Sequence, residues 1–104
     1  MAIEQSVESF IKYLDNERNY SPLTLENYRR DLYQFIDFFR EFYNFTVVRP
    51  KDITKTAIRH FAGMMNERGL KNTSISRKIA AIKSYFKFLV SEGVIKKNPA
   101  AGIK

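Results

Sequence analysis

The segment that decides the fold is NTSISRKIAAIKSYFKFLVS, residues 72–91. Within it Ile75, Ile79, Ile82, Phe86 and Leu89 recur at steps of four, three, four and three, which places them on one face of a helix. The spacing predicts a helix from about Thr73 to Ser91, with Asn72 or Thr73 as its cap and Gly93 as its stop. The other side reads Thr73, Ser76, Arg77, Ala80, Lys83, Ser84 and Lys87, and no acid interrupts it before Glu92. A solvated helix usually mixes both signs, because opposite charges three or four residues apart stabilise it and like charges cost a few tenths of a kcal/mol per pair. A free face that is positive only is therefore built to meet something negative outside the chain.

Toward the N-terminus three more helices are legible. The third, capped by Asp52 or Thr54, runs to about Arg68 with Ile58, Phe61, Ala62 and Met65 inward and Gly69 as its stop. The second opens on Ser21-Pro22, a hydroxyl cap followed by proline at the first helical position. Its buried stripe is Leu25, Tyr28, Leu32, Phe35, Ile36, Phe39 and Phe42, opposite Glu26, Asn27, Arg30, Gln34 and Asp37. The first spans about Ile3 to Arg18 and turns Ile3, Val7, Phe10, Ile11 and Leu14 inward. Asn44 to Pro50 reads as a connector. The expected fold class is all-α, a compact bundle of four to five helices. Beyond Ser91 the Asn98-Pro99 pair and small residues mark a boundary, dividing the chain into a domain over 1–95 and the start of a linker over 96–104.

Composition narrows the chemistry. The 104 residues suffice for one domain with a real core, and 44% hydrophobic with 28% charged residues describes a folded soluble domain. No Cys is present, which excludes disulfides and Cys-based zinc sites, and the single histidine, His60, has no acidic cluster at ligand spacing. No Gly-rich phosphate loop or nucleophile elbow occurs, Asp31 and Asp37 stand too far apart to act as a pair, and nothing activates the six tyrosines. The chain is therefore not expected to be an enzyme by itself. Its start lacks a secretory signal, and its most apolar stretch, Phe35 to Val48, is broken by Asp37, Arg40 and Glu41. A cytoplasmic location without a membrane partner is the expectation.

The net charge of +7 is unevenly placed. Residues 1–70 hold ten Lys/Arg and ten Asp/Glu, whereas residues 71–104 hold eight Lys/Arg against one acid, Glu92. Such a block attracts a polyanion, nucleic acid or an acidic membrane surface. A DNA reader needs a rigid helix for the major groove, short or forked side chains for base edges, and flanking cations for phosphate. The fourth helix offers all three. Arg77 suits a guanine edge, while Lys71, Lys78, Lys83 and Lys87 suit phosphate; Thr24, Asn27 and Arg30 add the first turns of the second helix. Two other readings fit the same residues: a helix-turn-helix regulator using helices three and four, and a helical protein-interaction module. The length of the fourth helix counts against the first.

The order Ser21-Pro22-Leu23-Thr24-Leu25-Glu26-Asn27-Tyr28-Arg29-Arg30-Asp31-Leu32, then Asp52-Ile53-Thr54, Asn66-Glu67-Arg68-Gly69-Leu70, the segment from Asn72 to Leu89, and Asn98-Pro99-Ala100 resembles the N-terminal core-binding domain of tyrosine recombinases and phage-type integrases, nearest the Xer type. The resemblance covers almost the whole chain. It implies a SAM-like helical bundle that closes a clamp around double-stranded DNA at the recombination core site, together with a C-terminal catalytic domain of the same protein and with other protomers. It assigns DNA contact to Thr24, Asn27, Arg30, Thr73, Ser76, Arg77, Lys83 and Lys87. The family's tyrosine nucleophile and its arginines belong to the C-terminal domain, so no catalytic role passes to Tyr85, and no metal or nucleotide cofactor is implied. The linker from residue 96 would lead to that domain, and the start at the first helix favours a simple Xer-like architecture.

Overall fold

Four helices account for most of the chain: α1 (Ile3–Asn16), α2 (Pro22–Phe42), α3 (Lys55–Glu67) and α4 (Asn72–Ser91). They are seen in a computed structural model that describes residues 1–103; Lys104, the end of the expected linker, lies outside the described residues. The Ser21 hydroxyl accepts from the Thr24 N–H (3.2 Å) ahead of Pro22 and starts α2. Thr54 does the same for the Ala57 N–H (3.1 Å) and starts α3. Besides a short 3-10 turn, Pro50–Asp52, there is no other regular element among the described residues. The chain is all-α.

The boundaries differ from expectation at three points. α1 ends at Asn16 rather than Arg18, and Asn19 takes a left-handed conformation (φ 54°) that turns the chain toward α2. α4 begins one residue early: extended Lys71 is its cap residue, so Asn72 and Thr73 lie inside the first turn and cap nothing. Asp52 does not cap α3; its carboxylate accepts the Arg49 N–H (2.8 Å) within the 3-10 turn. Gly69 and Gly93 end α3 and α4 with φ of 82° and 74°, as their positions predicted.

α4 and α2 each pack on all three other helices. The α4 stripe Ile79, Ile82, Phe86 and Leu89 is buried as read, joined by Ala81 and Tyr85. Tyr85 donates its hydroxyl to Ser6 Oγ, which donates in turn to the Ile3 carbonyl (2.6 Å). Burial pushes the Tyr85 phenol well above its ordinary value, as befits a core residue that is 1% exposed. Leu25, Tyr28, Ala62 and Ile75, expected in the core, are half-buried at its margin. Phe42 departs further. It closes the last turn of α2, where it lies tilted against Phe38 and edge-to-face with His60 and stays 52% exposed, while Phe38 takes the inner place.

Loops complete the core. Val48 and Ile53 are buried from the connector, and the Val48 carbonyl accepts the Ile3 N–H (2.8 Å). Ala100 and Ile103 are buried from the tail, whose turn is held by Asn98 Oδ1 accepting the Ala100 N–H (2.8 Å) and by Lys55 Nζ donating to the Ala101 carbonyl (2.6 Å). Residues 98–103 thus dock on the bundle instead of leaving it. Among the described residues no helix is long and apolar enough to cross a membrane.

Two stability outcomes follow from this packing. Phe86→Ala should lower the unfolding free energy by about 3–5 kcal/mol in urea melts, and Phe42→Ala by under about 1 kcal/mol, because only the first leaves a cavity. Between α1 and α2, Glu8 accepts from Arg29 (2.9 Å) and Tyr33 (2.9 Å). Arg29 holds the Glu8 carboxyl below its ordinary 4.5, so its contribution is present above that pH and is lost as pH falls through the lowered value. Both partners are about half exposed, and Glu8→Gln should cost only about 0.5 kcal/mol at pH 7, the gap from the parent closing in melts at acidic pH.

Candidate nucleic-acid interface

Every third or fourth residue of α4 from Thr73 onward returns to one side, giving the row Thr73, Arg77, Ala80, Ser84, Lys87 and Ser91. The side opposite Ile82 is therefore short-chained at its middle and basic at its ends. α2 runs beside it. Thr24, Asn27, Tyr28 and Asp31 from α2 meet Arg77, Ala80 and Ala81 from α4 around a shallow depression of about 200 Å³. Three residues predicted separately from two helices, Thr24, Asn27 and Arg77, thus share one site. Ala80 keeps its floor open, since a longer side chain there would fill it. Arg30, Thr73, Ser76, Lys71 and Lys87 are exposed and do not line it.

A buried carboxylate organises this seam. Asp31 is 2% exposed and accepts from Lys78 Nζ (2.9 Å) and from Arg77 through both Nε (3.3 Å) and Nη2 (3.4 Å), with Arg30 Nε at 3.9 Å. The paired bonds set the plane of the Arg77 guanidinium, while half of that side chain remains exposed. Three cations around one anion leave the seam positive, so it still attracts phosphate.

Two expectations about α4 change. Lys78 is 6% exposed and committed to Asp31, so it is an internal cation and no phosphate partner. Its position could have shown this, since it lies three residues after Ile75, four before Ile82 and seven before Tyr85, on the apolar face. Asp31 is its counterpart, three after Tyr28 and four before Phe35, also facing in. Lys83 stays at the surface but, at about 100° per residue, stands about 120° around the helix from Arg77. It is half-buried on the flank near the tail, where Asn98 Nδ2 reaches its carbonyl (3.5 Å).

His60 contacts Tyr43, Phe38 and Phe42, and among the described residues no group of three or more His, Asp or Glu side chains is placed to hold a metal.

Asp31 supplies a direct test of this arrangement. Asp31→Asn should destabilise the domain by about 3 kcal/mol in urea melts, because Lys78 is left buried without its counter-charge. Replacing both members, Asp31→Leu with Lys78→Met, should recover most of that loss.

Comparison with known proteins identifies the family. A family model described as phage integrase, N-terminal SAM-like domain, matches residues 7–93. The chain is 36% identical over 92 residues to a protein named tyrosine recombinase XerC from Natranaerobius thermophilus, covering 88% of this chain and 30% of that one. The Oceanobacillus iheyensis protein of the same name is 35% identical over 97 residues, covering 93% and 31%. That of Escherichia coli O139:H28 is 36% identical over 101 residues, covering 97% and 33%. The chain therefore spans about a third of the length of these curated relatives. No solved structure gives a significant match.

Proposed function

The chain belongs to the family of phage integrase N-terminal SAM-like domains, and from that premise we propose that it is the core-binding half of a tyrosine site-specific recombinase, gripping double-stranded DNA in the cytoplasm. The catalysis, DNA breaking and rejoining, falls to a C-terminal domain of the same protein, consistent with relatives about three times as long. Residues 1–95 would form the body of the binding domain, with the stretch from residue 96, docked on it through Ala100 and Ile103, leading on toward the catalytic one. Other protomers and the recombination core site complete its partners.

The observation that carries the reading is the seam. Arg77 is held flat by Asp31 beside Asn27 and Thr24, a forked donor and an amide next to each other on paired helices. Those groups suit base edges in the major groove: a guanidinium for guanine, an amide for adenine. Arg30, Lys71 and Lys87 on the exposed surface, and Lys83 on the flank of α4, suit phosphates. Thr73 and Ser76, short hydroxyl side chains at the exposed start of α4, suit either.

Four phosphate partners, with Lys78 excluded, should make log affinity fall against log salt with a slope near −3.6. Fluorescence anisotropy of a labelled mixed-sequence duplex between 50 and 200 mM salt reads this directly. Arg77→Glu with Lys83→Glu should abolish binding. A double variant that binds like the parent would falsify the assignment.

A further inference from the structure

Beyond Arg77, the same row of α4 continues through Ser84, Lys87 and Ser91 into a second, larger cleft of about 390 Å³. Its other walls come from the turn between α1 and α2 and from α2 itself, which supply Arg18, Tyr20 and Tyr28 over a floor that includes Phe88. No acid lines it. Arg18 lies over the Tyr20 ring, with its guanidinium 5.6 Å from the ring centre, and donates to the Tyr20 hydroxyl (3.4 Å). Among the described residues neither Arg18 nor Lys87 makes an ion pair, in contrast to Arg29, Arg30, Arg40, Arg77 and Lys78. Two cations facing one polar cleft without a counter-charge raise its potential and favour an anion between them.

We infer that this cleft takes a phosphodiester of the DNA backbone, with Arg18 as a phosphate-binding residue opposite Lys87. The inference rests on the DNA-binding reading and extends the interface to the turn after α1, which neither the sequence pattern nor the resemblance assigned. Spacing supports it. Lys87 follows Arg77 by ten residues, a rise of about 15 Å along the helix axis. The major groove is about 12 Å wide. When Arg77 faces base edges, the Lys87 end of α4 lies over the rim of the groove, where sugar and phosphate stand. A guanidinium over a tyrosine ring there still has N–H donors beyond the one given to the Tyr20 hydroxyl to offer phosphate oxygens.

The test compares variants of the chain on a labelled 25-base-pair mixed-sequence duplex, by anisotropy across 50–200 mM salt. Arg18→Ala should weaken binding about five-fold at the higher salt and make the salt slope shallower by about 0.9. Arg18→Lys should keep the slope, since the charge remains, and lose only part of the affinity. Lys12→Ala, on the α1 face that lines a different hollow with Glu8, Asp15 and Glu26, should change nothing. If Arg18→Ala keeps the parent's affinity and slope while Arg77→Glu with Lys83→Glu abolishes binding, the cleft assignment is overturned and the DNA reading stands. If the parent chain shows no salt-dependent affinity for the duplex, both are overturned.

Discussion

One buried carboxylate determines how α2 and α4 face each other. Asp31 is enclosed between α2 and α4, and an ion in such a place is tolerated only when a counter-charge and hydrogen bonds replace its water. Lys78 at 2.9 Å supplies the charge and Arg77 supplies two further bonds. Because Lys78 must point inward to do this, the rotation of α4 about its own axis is fixed. Its neighbour Arg77 stands about 100° further round and so emerges at the rim. The candidate interface is the outer consequence of an inner ion pair.

The apolar core makes that constraint affordable. α4 is packed by all three other helices, and the aromatic residues Phe10, Phe61, Tyr85 and Phe86 are almost wholly removed from water. A rod held this firmly loses little freedom when a ligand meets its free side, so short residues there can be placed without further ordering. The tail adds to the same body: Ala100 and Ile103 close the core near α3, with Lys55 bonded across to Ala101.

Much of this was legible in the residues, and the misses have physical causes. Helix number, the Ser21 and Thr54 caps and the glycine stops follow from local chemistry, which acts within a turn and needs no tertiary information. The row through Arg77, Ala80, Ser84 and Lys87 follows from periodicity alone. Phe42 was misplaced because periodicity does not say where a neighbouring helix stops covering it. Lys78 departs from expectation because a charge alone points to the surface, whereas its spacing from Ile82 and Tyr85 puts it inside. Asp31 was invisible as a partner since it lies 47 positions before Lys78, and the pairing exists only once the helices are packed. Arg18 was missed for the same reason: its cleft is assembled from three separate helices.

Electrostatics then suggests a division of labour for the proposed function. A domain with about four free phosphate partners binds duplex DNA weakly at physiological salt, in the range where non-specific Kd values run from about 10⁻⁶ to 10⁻⁴ M. Asp31 holds that attraction down, since it offsets part of the charge of Arg77, Lys78 and Arg30 at the centre of the face. A surface selected only to grip would not keep an acid there. What the acid supports is orientation: it sets the plane of the one guanidinium placed to read a base edge, where a well-formed bidentate contact discriminates by about 1–3 kcal/mol. Weak hold with fixed orientation suits a domain that sets register on its site while a second domain closing around the same duplex provides the grip.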